Sequence, residues 1–158
     1  MEELDLFPYI SPGATQTVED EMPLFREIAW DFIKNEPIVD KTTNEFVIAE
    51  GIEAIKIWIY KTLLTERYAY EIYSDDYGNE VSTLIGQGYT RGYSEAEATR
   101  YDKEALLVNP YILEVRKKDA KFNNDTLEVD LLVNTIYGEV DINVRGYDSG
   151  VSSSRNAE

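Results

Sequence analysis

Neither cysteine nor histidine occurs among the 158 residues. Without cysteine there are no disulfides, no thiolate nucleophiles and no Cys-based zinc sites. Without histidine the usual general base near pH 7 and the commonest metal ligand are missing. Ser-His-Asp and Cys-His catalysis go with them, which leaves carboxylates as the enzymatic route. Basic residues are scarce: 15 Lys and Arg stand against 31 Asp and Glu, a net charge of −16. Phosphates are repelled by such a surface, which argues against nucleic acid and anionic membrane as direct partners. Basic protein partners remain compatible, and the charge also serves solubility. Long apolar runs are missing too; none reaches the ~20 residues that span a bilayer. The N-terminal "MEELDLFPYISPG" lacks the basic and apolar regions of a secretory signal, so a cytoplasmic protein is expected.

What is present suits one folded domain. Apolar residues make up 43% of the chain, enough for a core at this length without metal or disulfide staples. Residues 1–23 hold three of the five prolines and no periodicity, so an extended arm is expected there, anchored by Phe7, Tyr9 and Ile10. Residues 24–147 are expected to form the domain. The polar stretch 148–158 reads as a frayed tail.

Within the domain, Ile28, Trp30 and Phe32 alternate with Ala29, Asp31 and Ile33, which predicts a strand. Phe46–Ile48 would return it after the long loop "NEPIVDKTTN". Gly51 opens a helix of about four turns, "GIEAIKIWIYKTLLTER", with Ile52, Ile55, Ile59 and Leu63 as its stripe. Ile57, Trp58 and Leu64 add apolar surface elsewhere, so this helix is expected to be buried on more than one side. Tyr68, Tyr70 and Ile72 then alternate with Ala69, Glu71 and Tyr73, the pattern of a short strand. "SDDYGN" is a turn, and Asn79 can cap a short helix, "EVSTLIG". "GQGYTRG" is not G-x-G-x-x-G, because Arg91 takes the third glycine's place; it reads as a connector. A second helix is predicted from Ser94, whose capping box closes on Glu97, to the stop at Pro110. Its stripe is Ala98, Tyr101, Ala105 and Val108. Three strands follow, with Leu127, Val129, Leu131 and Val133 alternating, as do Val140, Ile142 and Val144. The fold class is therefore α+β: two main helices on a small antiparallel sheet, with an N-terminal arm and hairpin.

No constellation points to a cofactor or a metal. "DAKFNNDTLE" approaches the composition of a calcium loop, but Lys121 occupies a ligand position and a hairpin turn accounts for the Asn and Asp residues. Glu66, Glu71 and Glu80 are the nearest thing to a carboxylate pair, as a glycoside hydrolase would need. With 31 acids some pair qualifies by chance, so no catalytic residue is assigned. At Glu66-Arg67 the long helix ends; a cation there suits its C-terminus, and the guanidinium fork can hold carbonyls or carboxylates of the Asp75–Glu80 turn. Tyr77-Gly78 turns the chain back. Glu66, Arg67, Tyr77 and Gly78 thus read as a rigid structural corner.

The run "WIYKTLLTERYAYEIYSDDYGNEVSTLIG" resembles the baseplate proteins of PBSX-like prophages, relatives of the sheath-initiating, "lysozyme-like" wedge proteins of contractile phage tails. Glu66, Arg67, Tyr77 and Gly78 carry the resemblance, which covers about residues 24–147 in element order and is specific over 58–86. The wider family has Glu-Pro-Arg between its second helix and last strands; here Asn109-Pro110-Tyr111 stands there, so only Pro110 transfers. The resemblance implies a structural part of a contractile-tail baseplate, in a phage or a tail-like bacteriocin, that joins wedge and tube to the first sheath ring. Its implied partners are other wedge proteins, the tail sheath protein, and tube or hub proteins, in multiple copies around a six-fold particle assembled in the host cytoplasm. The last strand, with Val140, Ile142 and Val144 inward, would offer the sheath an edge to pair with. The alternative is a carboxylate-based muramidase.

Overall fold

The computed structural model describes residues 22–84, 86–123 and 126–147. The expected arm (but for Met22 and Pro23) and the expected tail lie outside these residues. The architecture is α+β. Its C-terminal half is a three-stranded antiparallel meander of β5 (Ile112–Asn123), β6 (Thr126–Thr135) and β7 (Gly138–Tyr147), in that spatial order. Two helices, α1 (Gly51–Leu64) and α2 (Arg91–Leu107), pack on it. The central strand shows why: Leu127, Val129, Leu131, Val133 and Thr135 are all buried, alternating with half-buried residues. Leu127, Val129, Leu131 and Val133 meet Ile55, Ile59 and Leu63 of α1 and Ala98 and Leu106 of α2 in one apolar cluster. Burial of that cluster drives the fold, at roughly 1.5–3 kcal/mol for each large aliphatic side chain.

The long helix departs from its expected length and keeps its expected setting. It ends at Leu64, because Thr65 takes extended backbone angles and Thr65 Oγ1 donates back to Lys61 O at 2.7 Å. Along it Ala54, Ile55, Ile57, Ile59, Thr62 and Leu63 are buried, and only Glu53 and Leu64 are exposed. The second helix starts a turn earlier than the Ser94 capping box predicts. Thr90 is the N-cap, accepting from Tyr93 N, and Ser94 N bonds Thr90 O at 3.0 Å, inside the helix. Glu97 binds Arg100 instead of reaching back. Arg91–Tyr93 therefore belong to the helix rather than to the connector, and Val108 caps the C-terminus half-exposed instead of joining the stripe.

The N-terminal segment is more finely divided than one hairpin with a long loop. β1 (Arg26–Ile28) pairs with β4 (Ile48–Glu50), and β2 (Trp30–Asp31) pairs with β3 (Glu36–Pro37). The polar loop thus contains a strand. Its tight turns are made by aspartates: Asp31 Oδ1 accepts from the Ile33 and Lys34 amides, and Asp40 Oδ1 from those of Thr42 and Thr43. These amides hold both carboxyls below the usual carboxylate range.

The expected strand at Tyr68–Tyr73 is absent. The chain there runs through successive turns, with Tyr73 N bonded to Tyr70 O and Tyr77 N to Ser74 O. Alternation supplied a sidedness, but among the described residues no neighbouring strand pairs there; Tyr68 instead adopts φ +65°. The expected short helix is a single 3-10 turn, Val81–Leu84, with Asn79 Oδ1 accepting from Val81 N.

Candidate functional site

Two places concentrate specific geometry. The first is the corner between α1 and the 3-10 turn. Arg67 N donates to Asn79 O at 2.8 Å and Asn79 N donates to Thr65 O at 2.9 Å, so residues 68–77 leave and re-enter at one point. The Arg67 guanidinium lies across that neck. Its Nε and Nη2 donate to Gly78 O at 3.3 and 3.1 Å, and Nη1 donates to Glu80 Oε1 at 3.0 Å. The arginine side chain is only 12% exposed, so these bonds form in a partly dry setting where charge-assisted contacts count most. Gly78 has φ +93°, and a Cβ there would sit 2.7 Å from Thr65 O. Only glycine fits that approach. Glu66 Oε1 accepts from Ser82 Oγ at 2.8 Å on the exposed side. Tyr77 is half-buried beside Trp58, with ring centroids 6.1 Å apart, and Tyr73 lies 4.6 Å from it on another side. Burial pushes the Tyr77 phenol above its ordinary pKa.

The corner is seated by two residues that the sequence pattern did not single out for this role. Asn79, buried, donates through Nδ2 to Leu63 O at 2.8 Å and to Asp102 Oδ1 at 3.3 Å. Asp102 is fully buried in α2. The neck is thus tied to the end of one helix and the middle of the other. The available signal was a carboxylate four residues after Ala98 on the apolar stripe, a spacing that faces the core.

The second place is β7. The two-residue turn Ile136–Tyr137 makes Thr135 and Gly138 exchange hydrogen bonds, and every second pair after it: Val133 with Val140, Leu131 with Ile142, Val129 with Val144. The main-chain groups of Val140, Ile142 and Val144 are therefore spent on β6. The intervening Glu139 and Asp141 turn theirs away, to an edge along which no described strand pairs. The side chains of Val140 and Val144 are buried and that of Ile142 is half-buried. The opposite edge differs. β5 is broken by register shifts at Ile112/Glu114 and Lys117/Asp119, whereas β7 runs in register from Gly138 to Arg145. Bulges and lysines are what proteins place on edges that must not pair.

The family model described as "contractile injection system sheath initiator" matches residues 26–138. The chain belongs to the sheath initiators of contractile injection systems. It is also 36% identical, over 103 residues, to the phage-like element PBSX protein XkdS of Bacillus subtilis (strain 168); the match covers 65% of this chain and 72% of the relative. The role of this sheath initiator is structural, in starting the sheath of a contractile tail. Where the wider family is expected to have Glu-Pro-Arg, it has an aromatic joint. Tyr111 OH donates to Pro23 O at 2.7 Å, Phe25 N donates to Tyr137 OH at 3.0 Å, and the Phe25 and Tyr111 rings lie 4.8 Å apart. Among the described residues, no helix is long and apolar enough to cross a membrane.

Proposed function

We propose that the edge of β7 is the template on which the first sheath subunit adds a strand, and that the Arg67 corner is the rigid part that holds α1 against that sheet. The observation carrying this reading is the contrast between the edges: β7 is regular and presents the main chain of Glu139 and Asp141, while β5 is bulged and basic. Baseplate wedge proteins, and tube or hub proteins, are the neighbours for the remaining faces, in copies set around a six-fold axis. The protein acts without catalysis. Glu80 is held by Arg67 and Glu66 by Ser82, contacts that commit both carboxylates to structure, and Glu71 is exposed in the turns.

The test is a proline at an outward-facing amide. Asp141→Pro removes a donor from the open edge and spares the β6 ladder, whereas Ile142→Pro would break the sheet itself. Asp141→Ser keeps the amide and controls for loss of the carboxylate. Electron microscopy of tails should show Asp141→Pro baseplates without extended sheath and Asp141→Ser baseplates with it, both proteins keeping wild-type circular dichroism. Full-length sheaths on Asp141→Pro baseplates would sink the template reading.

A further inference from the structure

We infer that the groove between α1 and β7 selects the incoming strand, and that its occupant is an extended segment of the sheath protein with one inward aliphatic side chain flanked by outward Lys or Arg. The inference rests on the template reading above and adds what the template recognises.

A strand laid beside β7 would lie about 4.8 Å farther out and send alternate side chains into the layer that β7 already fills. That layer continues past Ile142 and Val144 as a groove, whose other wall is Tyr60, Leu63 and Leu64 of α1. The helix therefore overhangs the edge of the sheet. Leu64 is 52% exposed there although its neighbours Thr62 and Leu63 on the helix are buried. Tyr60 is held in place by Phe32, whose ring meets it edge-on at 4.6 Å. The groove has a volume of about 90 Å³. Enclosed cavities of about 150 Å³ take a benzene ring, so this smaller, open groove matches a branched aliphatic side chain.

The outer face of the sheet supplies the second half of the pattern. Among its described side chains the cations lie on β5: Arg116 reaches Glu139 at 3.3 Å and Lys118 reaches Asp141 at 2.7 Å, both across β6. From Gly138 to Val144 the strand carries Glu139 and Asp141 and no cation. The outer face thus runs from basic β5 to Glu128 and Asp130 on β6 and then Glu139 and Asp141 on β7, and a basic outer face on the next strand would meet these edge carboxylates. Opposite charges on neighbouring strands add both attraction and register.

The test uses the full chain and the purified sheath protein encoded with it. Leu64→Arg fills the groove with a charge at an exposed position that folding does not need. Capture of the sheath protein should fall about tenfold or more, the scale of losing one buried anchor. Because the chain has no cysteine, Leu64→Cys gives a single site for a benzophenone cross-linker. The cross-link should fall on an aliphatic residue of one extended sheath segment with Lys or Arg beside it. Wild-type capture by Leu64→Arg, with capture lost in Asp141→Pro, overturns the groove while the template stands. Unchanged capture in both variants overturns the groove and the template together. A cross-link to a wedge or tube protein in assembled baseplates also overturns the groove.

Discussion

Two stretches of this chain carry the same written pattern and fold differently. Leu127–Val133 and Tyr68–Tyr73 both alternate apolar and polar or small residues. The first is the central strand of the sheet, with Val129, Leu131 and Val133 fully buried. The second is a run of turns in which Tyr68 and Tyr70 stay exposed and Ile72 is 86% exposed. The difference lies in neighbours. β6 finds a partner on each side through short hairpins, so its alternation is converted into burial. Residues 68–77 are closed off by the hydrogen bonds at Thr65, Arg67 and Asn79 before they can reach a sheet edge. Alternation states which face a strand would bury; only topology provides a strand to pair with.

The contrast is broken most directly by matched truncations. Leu131→Ala should destabilise by about 2–5 kcal/mol, as expected for a fully buried aliphatic side chain. Ile72→Ala should stay within about 0.5 kcal/mol. Urea midpoints compared at constant slope would check both, and similar losses would erase the distinction. Next in size comes the neck. Arg67→Ala leaves Gly78 O and Glu80 short of a donor and should cost about 1–3 kcal/mol. A variant with the wild-type melting temperature and normal baseplate assembly would show that the arginine does not anchor the loop. The smallest effect is at alkaline pH. Burial raises the folded-state pKa of Tyr77 above that of the unfolded chain, so the folded state keeps a proton that the unfolded state loses above about pH 10. The contribution is whole below that pH and is lost as pH rises through the folded value. Tyr77→Phe should flatten that part of the stability profile relative to wild type.

The sequence disclosed the parts whose causes are local. Leu127–Val133 alternates and is buried in that register; Pro110 stops α2; Ile55, Ile59 and Leu63 face the core. The start of α2 was less legible. Ser94 with Glu97 made the better motif, but Thr90 sits where the chain leaves the connector and so opens the helix. Asp102 was hidden for another reason. Its partner Asn79 lies 23 residues earlier, and a helical stripe shows which way a carboxylate faces without showing what waits there. The open edge of β7 needed the turn as well as the strand. The strand pattern indicates the inward side chains, while the two-residue turn decides which amides point outward.

The neck at Thr65, Arg67 and Asn79 makes residues 68–77 a socket with its own closure. Entry and exit are already joined by backbone bonds, so the tip can lengthen or change without moving either helix. Doubling a loop of this kind adds only about 0.6 kcal/mol of closure entropy. Asp75 and Asp76, exposed at its tip, are therefore a natural insertion point for a label or a short peptide. The same independence would let this loop diverge to suit a different neighbour while the sheet edge stayed as it is.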